Sequence, residues 1–183
     1  VDRLGRFWAG TLAPGATSSL YRLNPDLSVH TMATGITVSN GIGRSPDNRT
    51  MYYCDSRIHM IYAYDFDLAS GAIANRRAFV HTPDDPSTPD GLTADSEGFI
   101  WCARRGGWKV VRYDPTGKVE REIRLPVEYP TSCGFGGEAL DELYITSAWT
   151  RLSDAQRKEQ PEAGDIFRLM PNIKESPEPL FAG

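Results

Sequence analysis

Two short runs, Ser39-Asn40-Gly41 and Pro89-Asp90-Gly91, each put a side-chain oxygen directly in front of a glycine. Gathered around one axis, an amide oxygen and a carboxylate suit a hard divalent cation better than a soft one. Asn-Gly and Asp-Gly are also common turn dipeptides. What distinguishes these two is that they occupy equivalent positions in neighbouring sequence repeats. Thr131-Ser132-Cys133 stands at the same place one repeat later.

The repeats show how such residues are held. Period-2 apolar patterns bounded by Gly, Pro, Asn and Asp run along the whole chain, and no long segment carries a 3.6-residue apolar stripe. The chain is therefore predicted to be all-β. Segments 6–11 (RFWAGT), 51–56 (MYYCDS), 99–104 (FIWCAR) and 143–148 (LYITSA) superpose as second strands. Segments 19–26, 60–67, 109–116 and 165–172 superpose as third strands, with Leu20, Ile61, Val110 and Ile166 in one register and Arg22, Arg112 and Arg168 in another. A more polar strand follows, as in 117–125 (GKVEREIRL). A repeat of roughly 45 residues built from antiparallel strands is the blade of a β-propeller. The expectation is four blades of four antiparallel strands, with residues 1–183 forming one partial propeller domain. The sequence begins at Val1 inside a strand-like pattern, which predicts that N-terminal blades are missing.

Strand alternation then places the site. The loop entering each blade and the loop between its second and third strands share one face, and innermost strands line the central channel. Asn40, Asp90 and Ser132 are expected to ring the channel mouth. The long charged segment Trp149 to Gly164 joins a second to a third strand, so it belongs to the same face. It is either a lid or specificity element, or a solvated insertion.

Other candidates are weaker. His30, His59 and His81 show no metal-ligand spacing and are expected at the surface. Gly134 to Gly137 (GFGG) lacks the Lys and Ser/Thr of a phosphate loop. The three cysteines, Cys54, Cys102 and Cys133, include no C-x-x-C pair and are expected to be reduced thiols in strands. A net charge of −4 with scattered Lys and Arg argues against a nucleic-acid or anionic-membrane partner. No run is long and apolar enough for a spanning helix, and no secretion signal is visible. A soluble, cytoplasmic protein is expected.

The chain resembles the family of regucalcin (senescence marker protein), gluconolactonase and luciferin-regenerating enzyme, which are six-bladed propellers. The likeness is carried by 5–11 (GRFWAGT), Ser39-Asn40-Gly41-Ile42, 53–55 (YCD), Tyr64-Asp65-Phe66-Asp67 with Gly71, and Asn75-Arg76-Arg77. Pro89-Asp90-Gly91-Leu92, Gly136-Gly137 and Gln160-Pro161-Glu162-Ala163-Gly164 before Ile166-Phe167 complete it. It implies one divalent cation (Ca, Zn, Mn or Mg) at the channel mouth, held by a first-blade Glu and by Asn40 and Asp90. It also implies hydrolysis of a sugar lactone or related cyclic ester, with Asp90 as catalytic general base. The Glu, and an Arg and an Asn that grip substrate, would come from sequence before Val1. Pro14 and Gly15 stand where some members carry an acidic residue that binds sugar hydroxyls, so the substrate is expected to differ from gluconolactone. The alternative is a non-catalytic calcium-binding or protein-interaction propeller.

Overall fold

The structure is a computed structural model that describes residues 1–177 and 179–183. It contains four antiparallel sheets, arranged as successive propeller blades. The first holds β1 (Phe7–Gly10), β2 (Ser18–Leu23) and β3 (Val29–Ile36). The second holds β4 (Ser39–Arg44), β5 (Thr50–Asp55), β6 (Met60–Asp67) and β7 (Ala72–His81). The third holds β8 (Thr88–Ala94), β9 (Ile100–Arg105), β10 (Lys109–Tyr113) and β11 (Val119–Arg124). The fourth holds β12 (Pro130–Gly136), β13 (Glu142–Ser147) and β14 (Ile166–Leu169), with a short helix α1 (Asp154–Glu159) between the last two.

Each middle sheet is buried on both faces, which explains the dense apolar strands. Along β5, Met51 and Tyr53 pack with Trp8, Leu20 and Ile36 of the first sheet. The alternate residues Tyr52 and Cys54 pack with Leu92, Ile100 and Cys102 of the third. Along β9, Trp101 and Ala103 turn the other way, toward Cys133, Leu143 and Ile145 of the fourth. Period-2 alternation sends successive side chains into different cores, so the sheets stack like blades. The aligned arginines hold equivalent places: Arg22 pairs with Trp8, Arg112 with Trp101 and Arg168 with Tyr144.

The repeat predicts four strands in every blade, but the first and fourth sheets have three each. In the first, the residues before β1 form a turn around Asp2. In the fourth, the chain after β14 carries Pro171, Pro177 and Pro179, which cannot donate to a strand ladder. That segment instead leaves its own sheet. The Ser96 N–H donates to the Lys174 carbonyl at 2.8 Å, Thr93 Oγ1 to Glu175 at 2.8 Å and Ala182 N–H to the Gly5 carbonyl at 3.1 Å. Phe181 meets Phe7 edge-on, 6.4 Å between centroids. With the C-terminal ends of β4, β8 and β12, this segment lines a cavity of about 290 Å³.

A motif shared by two of the repeats sets two of the turns: Asp2-x-x-Gly5-x-x-Trp8 and Asp95-x-x-Gly98-x-x-Trp101. In the second, Asp95 Oδ1 accepts the N–H groups of Glu97 and Phe99 at 3.0 and 3.1 Å. Its Oδ2 accepts Trp101 Nε1 at 2.9 Å and Arg112 Nε at 2.8 Å. Asp2 does the same for Leu4, Arg6 and Trp8. One buried carboxylate thereby joins a turn, a core indole and a guanidinium.

Candidate functional site

Inner strands β4, β8 and β12 come together at the residues singled out by sequence. A Cβ added at Gly41 would stand 2.5 Å from the Leu92 nitrogen and 2.7 Å from the Asp90 carbonyl oxygen. One added at Gly91 would fall 2.5 Å from Ser132 Cβ. Only glycine lets neighbouring backbones approach so closely. The two glycines draw Asn40, Asp90 and Ser132 to one end of three adjacent inner strands.

Side chains at the end of β5 fix this arrangement, and sequence reasoning gave them no role. Buried Asp55 accepts the N–H groups of Thr37 and Val38 at 3.0 and 2.9 Å, and also binds the Thr37 hydroxyl. Tyr53 Oη donates to Ser39 Oγ at 2.6 Å. Ser56 is the link between blades: its hydroxyl accepts Asn40 Nδ2 at 2.8 Å and donates to the Pro89 carbonyl at 2.6 Å. Because Asn40 spends its NH₂ on Ser56, its Oδ1 is turned the other way, as an available acceptor. Replacing Ser56 by Ala removes both bonds at once. For a cation held by Asn40, affinity is expected to fall about tenfold, the equivalent of ~1.4 kcal/mol, and the buried Pro89 carbonyl, left without its donor, should lower stability by on the order of 1 kcal/mol as well. Calorimetric titration with a divalent cation checks this.

Asp90 differs from the other buried carboxylates. It is 9% exposed, yet among the described residues its carboxylate accepts no side-chain hydrogen bond. The nearest guanidinium, Arg105 Nε, is 3.9 Å from Oδ2. Burial pushes its pKa up to about 6, only partly opposed by Arg105 and the Gly91 N–H. A carboxyl raised in this way binds its proton more tightly folded than unfolded. Stability therefore falls as pH rises from about 4 to about 6, by on the order of 2 to 3 kcal/mol. Denaturant unfolding of chelator-treated protein across that range, compared with Asp90→Asn, should show this slope in the native chain alone.

A buried carboxylate and an amide whose NH₂ is already bonded to Ser56 are oxygen donors of the kind a hard cation takes, and no sulfur or imidazole is needed. Among the described residues no three His, Cys, Asp or Glu side chains gather as a metal cluster. His59 caps the turn after β5 and pairs Nδ1 with the Ser87 carbonyl at 3.0 Å. His30 and His81 are exposed on β3 and β7. All three cysteines are free and buried. Burial pushes the Cys54 and Cys133 thiols well up, so they are poor nucleophiles. Gly134–Gly136 continue β12 rather than forming a phosphate loop.

Segment 149–164 contains helix α1, started by a capping box between Ser153 and Gln156. It docks beside β12: Gln160 accepts the Glu128 N–H at 2.7 Å, and Arg157 lies 4.1 Å over the Trp149 ring. Next to Glu128, Tyr129 carries Arg105 on its ring at 4.6 Å.

The profile of the SMP-30/Gluconolactonase/LRE-like region matches residues 1–149. The chain belongs to this family. It is 41% identical over 175 residues to regucalcin of Danio rerio, covering 92% of this chain and 59% of that protein. Among solved structures, the calcium-binding regucalcin of Agrobacterium tumefaciens superposes with a TM-score of 0.91 at 30% identity, covering 97% of this chain and 61% of the other. A gluconolactonase of Xanthomonas campestris superposes with a TM-score of 0.67 at 30% identity, covering 80% and 52%. The chain thus spans about 60% of the length of its regucalcin relatives. No helix among the described residues is long and apolar enough to cross a membrane.

Proposed function

We propose that the protein hydrolyses sugar lactones or related cyclic esters at the Asn40 and Asp90 end of its inner strands. Membership of a gluconolactonase family supports this, but the observation that carries it is Asp90. A buried carboxylate whose nearest guanidinium stands beyond hydrogen-bond distance, at 3.9 Å, lowers stability unless it serves a ligand. A divalent cation held by Asn40 and Asp90 would polarise the lactone carbonyl and offset the charge developing on its oxygen. The remaining work belongs to the chain. Asp90 accepts a proton from the attacking water. The water oxygen bonds to the carbonyl carbon, the ring C–O bond breaks, and a proton ends on the departing ring oxygen. The product is the open hydroxy acid. Ser56 holds Asn40 in the orientation that presents its oxygen.

Acid release from an aldonolactone, followed in a pH-stat, tests the reading. Chelator-treated full-length protein should be inactive, and one of Ca²⁺, Zn²⁺, Mn²⁺ or Mg²⁺ should restore turnover. Turnover that survives complete cation removal would contradict it. A second reading is favoured by the calcium-binding relative: a propeller that binds calcium without hydrolysis. Calcium binding with no acid released from a panel of lactones and esters would establish that reading instead.

A further inference from the structure

Arg105 closes β9 opposite Thr88, at the same end of the sheet as Asp90. Its backbone surroundings are fixed, since the Gly106 N–H donates to the Glu128 carbonyl at 3.0 Å. Its guanidinium rests on the Tyr129 ring with 4.6 Å to the centroid, a contact that anchors the side chain while leaving its N–H donors unused. The approach to Asp90 is 3.9 Å, beyond hydrogen-bond length. Among the described residues the guanidinium donates no hydrogen bond, and the side chain is 26% exposed. Glu128, the other nearby carboxylate, accepts Gln156 Nε2 at 3.5 Å.

A pinned guanidinium fork beside a carboxylate it does not bond is unsatisfied once that carboxylate serves a cation. A cation held by Asp90 would add a second positive charge close to Arg105, and an anionic group on the substrate would offset both. We propose that Arg105 is a specificity-determining residue that selects lactones carrying a second, anionic group, a carboxylate or a phosphate. The inference rests on the hydrolytic reading for its reaction and on Arg105 alone for its substrate class.

The test compares kcat/KM of the full-length, cation-loaded protein for three substrates: a neutral aldonolactone, a lactone bearing a free carboxylate, and a phosphorylated lactone. The two charged arms separate carboxylate from phosphate. At least one charged substrate should be preferred, and Arg105→Gln should cut its ratio to the neutral lactone by about 10- to 100-fold. Arg105→Lys, which keeps the charge but loses the fork, should fall between. As a readout independent of turnover, calorimetry should show tighter binding of a ring-opened dicarboxylate or phosphorylated acid than of the plain monocarboxylate, and Arg105→Gln should erase the difference. No preference in the native protein, or a ratio unmoved by Arg105→Gln, overturns the proposal and leaves the hydrolytic reading standing. If no lactone turns over, the hydrolytic reading fails, and the binding preference alone decides the role of Arg105.

Discussion

Asp90→Asn should lower lactone turnover by at least about 1000-fold, because it removes a general base and weakens the cation site in one step. Asn has nearly the same shape as Asp, so β8 should keep its place against β4 and β12. Removing a poorly compensated buried charge should also raise the melting temperature of the cation-free protein. Loss of turnover together with a gain in stability is the expected pair of results. It would mark Asp90 as a residue retained for chemistry at the expense of the fold. A variant that stays within tenfold of the native rate would remove Asp90 from the mechanism.

Asp95→Ala should act in the opposite sense, costing about 3 to 5 kcal/mol of stability. The two aspartates are close in sequence and both buried, at 9% exposed for Asp90 and 1% for Asp95. Their surroundings differ. Asp95 receives two backbone N–H groups, the Trp101 indole and Arg112. Removing it leaves the Arg112 guanidinium, 4% exposed, without its innermost partner, although Glu97 and Glu120 remain on its outer side. Denaturant unfolding with the slope monitored gives the value. A loss below about 1 kcal/mol would show that Glu97 and Glu120 can hold Arg112 unaided.

The placement of Asn40 and Asp90 at the same end of neighbouring inner strands was legible because an oxygen-bearing residue before glycine recurs in the same register of successive repeats. The same glycines proved to have a second role, letting inner strands touch. The contacts of Ser56 and Arg105 were not legible, since they are made across strands and blades rather than along the chain. The Asp-x-x-Gly-x-x-Trp motif was readable in principle, but its meaning depends on an indole folding back onto the aspartate. The three-stranded fourth sheet follows from the prolines at 171, 177 and 179. Helix α1 was announced only by Ser153 and Gln156, a signal too short to show as a 3.6-residue stripe.

Anomalous diffraction from crystals of the full-length protein grown with Mn²⁺ would test the shared cation most directly. The account predicts one peak lying within about 2.0 to 2.6 Å of both Asn40 Oδ1 and an Asp90 carboxylate oxygen. A peak that touches only one of them, or that sits away from both, would contradict it.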